Sequence, residues 1–152
     1  MKKTIQSIAL VASILTTGLV QAQPIGERIM EEVELVRSSS PCDPDLAIIR
    51  MHYPVRYISH YPQEASDELR IRIKHIQVAQ IDEDSQDQRE STSPEDHDLL
   101  DEVVYEGDFS GGPYLTLEYR EAVLSKVIQG SDYRTIKVLI YPSSRIKQAK
   151  CQ

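Results

Sequence analysis

The sequence predicts a mainly β fold: a small β-sandwich or open barrel of two related hairpin blocks, with one short N-terminal helix. Apolar and polar residues alternate along several short segments, which is typical of strands with one buried face. Glycine and proline turn signals separate these segments at regular intervals, as they do in sandwiches and barrels. The apolar pattern of the early strands recurs later in the chain, which predicts an internal repeat.

The first residues predict export. Lys2 and Lys3 precede an apolar run at residues 8–20, and small side chains favour cleavage by a signal peptidase after Ala22. The run is shorter than the roughly 20 residues that a helix needs to cross a bilayer. We therefore expect residues 1–22 to be a Sec-type signal peptide. We also expect the protein to reach the periplasm of a Gram-negative bacterium and to have no membrane span.

Residues 23–37 show a helical period. The apolar stripe consists of Ile25, Ile29, Val33 and Val36. Pro24 suits a first helical turn, and a serine and proline stretch ends the pattern. We therefore predict an amphipathic helix and its linker over 23–41, followed by a single β domain over 42–152.

The first β block combines two alternating segments. The first segment places on one side Ala47, Ile49, Met51, Tyr53, Val55 and Tyr57. Pro54 cannot donate to a sheet, so this strand is predicted to be an edge, or to bend or bulge, at that point. In the second segment, apolar residues alternate with Arg70, Arg72 and Lys74.

An acidic stretch separates the two blocks. The formal net charge of the chain is −7, and Arg89 is the only base between residues 82 and 108. Residues 82–101 contain too few apolar side chains to offset the entropy of ordering, which predicts a flexible loop. An acidic chain gains nothing from neutralising phosphates, so we expect neither nucleic acid nor anionic membrane surfaces as partners.

The second β block repeats the pattern of the first. Strands are predicted at 103–106, 115–119, 123–128 and 136–140, with turns at 107–113 and 130–132. In the first part of the repeat, Ala47, Ile49, Met51 and Val55 correspond to Leu115, Leu117, Tyr119 and Val123. In the second part, Leu69, Ile71 and Ile73 correspond to Ile136, Val138 and Ile140. The repeat favours two related halves around one core, although any two hairpins of similar length match in part.

Two cysteines, Cys42 and Cys151, enclose nearly the whole predicted β domain. In an oxidising compartment an even number of cysteines predicts a disulfide. Two unpaired thiols near the ends of the domain are the alternative. The sequence contains no Cys-x-x-Cys motif, so redox chemistry is not expected.

No catalytic or metal-binding constellation is predicted. The segment Gly107-Asp108-Phe109-Ser110-Gly111-Gly112-Pro113 resembles the nucleophile segment of trypsin-like serine proteases. Phe109 is inserted into that motif and displaces the backbone donors that an oxyanion needs, so a glycine-rich turn is the better prediction. The four histidines lack the close spacing of metal ligands, and no cofactor is expected.

The tyrosine-rich stretch around Pro54 is the candidate binding patch. It contains Tyr53, Arg56, Tyr57, His60 and Tyr61. Tyrosine offers a flat ring and a polar tip, which suit carbohydrate or peptide recognition. Arg56 and His60 share a strand parity and are predicted to face an anionic or sugar partner. The alternative is that the tyrosines are half-buried residues of the sheet.

The two blocks resemble the AMIN type of envelope domain, which is found in exported amidases and pilus secretins. The resemblance rests on Ile49-Arg50-Met51-His52-Tyr53-Pro54-Val55-Arg56-Tyr57 with residues 67–73, and on residues 115–119 with 135–140. It implies a small β-sandwich of two related halves and peptidoglycan binding that localises a parent enzyme. The acidic stretch falls outside the pattern of that family.

These features predict a non-enzymatic, exported binding module of the cell envelope, with peptidoglycan or an envelope protein as its partner. The alternative is a small structural or assembly protein. Such a protein would dock through the edge strand interrupted at Pro54 to a larger envelope complex.

Overall fold

Antiparallel pairing arranges the described part of the chain into eight strands and one short helix. The computed structural model describes residues 28–76, 88–94 and 98–149, so the predicted signal peptide lies outside it. The strands are β1 (Met30–Val36), β2 (Asp45–Met51), β3 (Val55–Tyr61), β4 (Ser66–His75), β5 (Arg89–Thr92), β6 (Leu100–Glu106), β7 (Tyr114–Gln129) and β8 (Thr135–Pro142), and helix α1 (Ser143–Ala149) follows them. The fold is therefore mainly β, as the alternating pattern predicts.

The strands form one open sheet that the long strand β7 divides into two layers. The hydrogen-bonded order is β1-β2-β8-β7-β4-β3, and β6 pairs with both β5 and β7. The first half of β7, up to Tyr119, pairs with β4 and β6, whereas its second half, from Val123, pairs with β8, and Ser66 at the start of β4 also pairs with Val123. Layer A contains β1, β2, β8 and the second half of β7. Layer B contains β3, β4, β5, β6 and the first half of β7.

One hydrophobic core joins the inner faces of the two layers. Successive side chains of a strand point to opposite faces, so every second residue enters the core. The central strands contribute Ala47, Ile49, Met51, Leu69, Ile71, Ile73, Leu115, Leu117, Tyr119, Ile136, Val138 and Ile140. The alternating residues of both sequence blocks thus form the core, and the residues between them make up the two outer faces.

The strand pairing repeats with approximate two-fold symmetry. Corresponding cross-strand pairs are Val33–Ile49 and Val103–Leu117, Ile49–Ile136 and Leu117–Leu69, and Tyr57–Ile73 and Ser125–Ile140. A register shift follows Met30 in β1, and an equivalent shift follows Leu100 in β6. Strands β1 to β4 therefore correspond to β6, the two halves of β7, and β8. The repeated apolar pattern of the sequence reflects this arrangement, in which each half contributes strands to both layers.

The proline predicted to interrupt the first strand lies where the chain passes from layer A to layer B. β2 ends at Met51, and β3 begins at Val55. The Val55 N–H donates to the Tyr133 carbonyl at 2.6 Å, and the Pro54 carbonyl accepts from the Ile76 N–H at 2.9 Å. Pro54 thus occupies a bend, where its missing N–H leaves no gap in a strand ladder.

The helix predicted over 23–37 is wrong for the residues that the structure describes. Met30–Val36 form strand β1 instead, and residues 23–27 lie outside the described ranges. Within β1, Val33 and Leu35 alternate with glutamates, so the same short segment fits both a helical and a strand period. Pairing with the edge of β2 stabilises the strand, because tertiary contacts override local preference.

The prediction of a flexible loop over 82–101 is also wrong in part. Strand β5 lies inside that range and pairs with β6. The Glu90 carboxylate accepts two backbone N–H groups at the start of β1, at 2.5 and 2.9 Å. An acidic side chain is therefore fixed by hydrogen bonds to the other layer. Residues 82–87 and 95–97 lie outside the described ranges.

A buried ion pair ties helix α1, which the sequence analysis did not predict, to the start of β2. Arg145 Nη1 donates to Asp45 Oδ1 at 3.0 Å, Arg145 Nη2 donates to Asp45 Oδ2, and the Ser38 N–H donates to Asp45 Oδ1 at 2.8 Å. Cys42 precedes β2, and no cysteine in the described ranges is a free thiol. Because Cys151 lies outside those ranges, its disulfide with Cys42 stays a prediction.

Candidate functional site

The outer face of layer B carries a group of cations. The apolar residues of β4 face the core, so the intervening Arg70, Arg72 and Lys74 point outward. Arg56 lies opposite Lys74 in the register between β3 and β4. These four exposed side chains place positive charge on one face of an acidic protein.

Acidic neighbours neutralise only part of that charge. Arg70 Nε lies 2.5 Å from Glu68 Oε1, which makes a close ion pair. Within the described ranges, no carboxylate lies within 4.0 Å of a nitrogen of Arg56, Arg72 or Lys74. A cation that is already paired within the protein must break that ion pair before it can bind a ligand. These three side chains have no such pair to break, so they are available to an anionic ligand.

Two of these cations, Arg70 and Arg72, line a cleft of about 270 Å³. The cleft is lined by Ser59, His60, Tyr61, Arg70, Arg72, Glu106, Phe109 and Tyr114. Aromatic rings offer flat apolar surface, and guanidinium groups bind carboxylates in a planar, two-pronged geometry. The cleft therefore combines groups that can bind the apolar face of a sugar ring with groups that can bind an acid.

The glycine-rich turn between β6 and β7 positions the aromatic wall of the cleft. The Gly112 N–H donates to the Phe109 carbonyl at 2.9 Å, which closes the turn. Gly111 has a φ of 121°, a backbone conformation that residues other than glycine rarely adopt. The rings of Phe109 and Tyr114 meet edge to face with centroids 5.3 Å apart. The predicted turn is confirmed, and Phe109, which interrupts the protease-like motif, forms part of the cleft wall.

A bulge in β3 separates two residues of the predicted patch. The register between β3 and β4 shifts after Tyr57. As a result, Arg56 lies on the outer face with the other cations, whereas His60 lies opposite the core residue Ile71. The prediction that Arg56 and His60 share a face is therefore wrong, because one extra residue in a strand reverses the parity of the residues beyond it.

Tyr57 and His60 form a hydrogen-bonded pair at the rim of the cleft. Tyr57 Oη lies 2.7 Å from His60 Nδ1, and the Tyr57 N–H donates to Gln129 Oε1 at 2.6 Å. Desolvation lowers the pKa of His60, so the neutral imidazole predominates at neutral pH. Tyr53 and Tyr57 pack against the core, which agrees with the alternative of half-buried sheet tyrosines, whereas Tyr61 is 74 % exposed.

The structure brings only part of the predicted patch into the cleft. His60 and Tyr61 line it, and the sequence analysis missed their neighbours Arg72, Phe109 and Tyr114. Alternation with the core residues of β4 marks Arg72 as an outward residue. No local signal places Tyr114 beside it, because that neighbourhood depends on the register between β4 and β7.

Comparison with known proteins adds no assignment to this face. No family model matches the chain, and no curated protein or solved structure is significantly similar to it. In the described ranges, no group of three His, Cys, Asp or Glu side chains could hold a metal ion. No helix of those ranges is long and apolar enough to cross a membrane. The candidate function must therefore be argued from the cleft and its surrounding charge.

Proposed function

We propose that this protein is a non-enzymatic, exported binding module of the cell envelope that recognises an anionic glycopeptide, with peptidoglycan as the best-matched polymer. The cleft on the outer face of layer B supports the proposal, because aromatic rings and an unneutralised guanidinium lie side by side there. Glycan strands of peptidoglycan present sugar rings, and their stem peptides present carboxylates. The AMIN-like pattern of the two sequence blocks favours the same ligand.

Different residues of the cleft bind different parts of the proposed ligand. Tyr61, Phe109 and Tyr114 supply ring surface for a sugar or for the apolar part of a peptide. Arg72 supplies a carboxylate site, because no described carboxylate lies within 4.0 Å of its guanidinium and the Glu106 carboxylate of the same cleft lies 3.7 Å from Arg89 instead. His60, held neutral by desolvation, supplies a polar ring atom for a hydroxyl or amide.

Positive charge on the face makes the proposed binding sensitive to salt. The four cations of layer B lie on the surface of a chain whose formal net charge is −7. Attraction to a polyanion therefore arises from this face and not from the whole molecule. Surface charges are screened beyond about 8 Å at physiological ionic strength, so high salt weakens such binding.

Co-sedimentation with purified sacculi tests the proposal. The protein should pellet with sacculi at low salt, and Arg72→Gln should lower the pelleted fraction several-fold. Tyr61→Ala should lower it at both low and high salt, because ring packing is not screened. Arg134→Gln, which removes an exposed cation in the turn between β7 and β8, is the matched control. A native protein that stays in the supernatant at low salt, or an Arg72→Gln variant that pellets like it, would contradict the proposal.

A second candidate function follows from the free edge of β3. Within the described sheet β3 is a terminal strand that pairs with β4, and Ile58 at its bulge is 44 % exposed. A strand of a larger envelope protein could add to this edge. A photo-reactive amino acid at position 59 tests this candidate in cells. Cross-linking to one larger protein, together with no binding to sacculi, would favour an assembly role.

A further inference from the structure

The two-fold repeat makes the outer faces of the two layers comparable position by position. In layer B six outward positions carry Arg56, Tyr61, Arg72, Lys74, Tyr114 and Thr116. In layer A the equivalent positions carry Leu124, Ile128, Leu139, Tyr141, Leu46 and Ile48, in the same order. Apolar side chains therefore occupy these six positions on the outer face of layer A, which we call the layer A face and which also carries Glu34, Lys126 and Lys137.

The layer A face is open to solvent. Val36, Leu124 and Ile128 are 45 %, 44 % and 40 % exposed, and the four apolar residues between them are half-buried by one another. Four strands about 4.8 Å apart, each with about six residues at about 3.4 Å, give a face of roughly 20 by 20 Å. Exposed apolar side chains grouped on a face of this size are often functional.

The fold itself does not require these apolar side chains. Leu124 and Leu139 have Arg56 and Arg72 as their equivalents in layer B, at the same positions of the strand register. The scaffold thus accepts arginine at both positions. Burial against a partner accounts for apolar residues there, whereas folding does not.

Charges at the two borders of the layer A face indicate which partner fits. On the β1 border, Glu32 and Glu34 share hydrogen bonds from the single cation Arg50. On the opposite side, Lys126 and Lys137 have no carboxylate within 4.0 Å among the described residues. The face is therefore acidic on its β1 side and basic on its β8 and β7 side, where Lys137 lies between Ile48 and Ile128 in the register.

We propose that a second copy of this chain packs on the layer A face, with the two-fold axis between the two faces and parallel to the strands. This axis places β1 of one copy over the second half of β7 of the other. Glu34 of each copy then approaches Lys126 and Lys137 of the other copy, while Leu46 and Leu139 pack near the axis. An axis across the strands would instead place Glu34 over Glu34, which like-charge repulsion disfavours.

The geometry predicts a weak dimer. Aligned sheets pack about 10 Å apart with their strands at about 30°. A face of about 400 Å² in plan falls below the roughly 800 Å² per partner of a standard interface, so we expect a weak, transient dimer. The outer face of layer B stays exposed in this dimer, so the proposal does not depend on what the cleft binds.

Sedimentation velocity from about 1 to about 500 µM tests the proposal, because a weak dimer becomes populated only as the protein concentration rises. The native protein should shift from monomer to dimer as concentration rises. Leu124→Arg and Leu139→Arg, which install the residue type of the equivalent layer B positions, should keep the native circular-dichroism spectrum and weaken the dimer at least about tenfold. Leu124 is the safer site for folding, because its side chain is already 44 % exposed.

Charge reversal tests the orientation of the two copies. Glu34→Lys and Lys137→Glu should each weaken the dimer, and the double variant should restore it, because each new lysine then approaches a new glutamate of the other copy. Lys147→Glu, at an exposed position of α1, is the matched control and should dimerise like the native protein.

Three outcomes would overturn the proposal. One is a sedimentation coefficient that does not change up to about 500 µM, the top of the concentration range tested. Another is a dimer that survives Leu124→Arg. The third is a monomeric native protein that binds vesicles of anionic lipid and loses this binding in Leu124→Arg, which would show that a membrane surface covers the layer A face.

Discussion

Replacing Arg145 tests whether a buried ion pair holds the end of the domain together. The Asp45 side chain is fully buried, whereas the Arg145 side chain is 28 % exposed. The Asp45 carboxylate accepts hydrogen bonds from both terminal nitrogens of Arg145 and from the Ser38 N–H. Arg145→Met would therefore leave a buried negative charge without its countercharge and without two of its hydrogen bonds.

The expected loss of stability is about 3 kcal/mol. Breaking a buried ion pair by removing one partner costs about 3–5 kcal/mol. Two hydrogen bonds to a charged group, at about 1.5–3 kcal/mol each, give a similar range. Because Arg145 is partly exposed, water can replace some of its contacts, which favours the lower end of the range. The double variant Asp45→Asn, Arg145→Met should lower the free energy of unfolding by less than the sum of the two single variants, because it no longer has a buried charge.

Urea unfolding followed by tyrosine fluorescence and far-ultraviolet circular dichroism measures the effect, because the protein has eight tyrosines and no tryptophan. Arg37→Met is the matched control. Arg37 pairs with Asp98 at 3.0 Å, but both side chains are mostly exposed, so this change should cost at most about 0.5 kcal/mol. If Arg145→Met lowers the free energy of unfolding no more than Arg37→Met does, water already reaches the Asp45 carboxylate, and burial does not strengthen this ion pair.

Three further predictions concern cross-linking, pH and a turn. Cys42 and Cys151 should resist thiol labelling in denaturant without reductant, and reduction should lower the free energy of unfolding by up to about 4 kcal/mol; labelling of both would exclude the bridge. Burial lowers the pKa of His75, so the unfolded state binds a proton that the folded state does not. Stability measured by urea unfolding should therefore fall below about pH 6.5, by at most about 1.4 kcal/mol per pH unit, and His75→Gln should flatten this dependence. At Gly130 an added Cβ would lie 2.8 Å from Thr135 Cβ, so Gly130→Ala should cost about 1–3 kcal/mol in the same assay, and an unchanged midpoint would contradict the packing.

The sequence predicts inward residues well because alternation has a local physical cause. Ile49, Ile71 and Val138 each belong to an alternating run, and each is buried in the core. Strand β1 was missed because Val33 and Leu35 fit two periods, and only the edge of β2 decides between them. Local preference is weak for such a short segment, so the available pairing partner determines its structure.

The cleft was only partly predictable because it depends on contacts between distant segments. One extra residue, Ile58, places His60 on the opposite face from Arg56, and no feature of the local sequence marks that bulge. Tyr114 lies beside Arg72 because β4 and β7 pair in one particular register. Register follows from how the whole core packs, so alternation alone cannot supply it.

The contrast between the two outer faces gives the strongest argument about function. Both halves must keep apolar residues at inward positions, since these share one core, whereas the exposed outward positions are not subject to that requirement. One scaffold nevertheless carries cations and rings on layer B and leucine, isoleucine and valine on layer A. If each face has its own partner, Arg72→Gln should lower binding to sacculi several-fold and leave dimerisation intact, and Leu124→Arg should weaken dimerisation and leave binding to sacculi intact. A single variant that abolished both would show that the two faces do not act separately, and the comparison between the halves would lose its functional meaning.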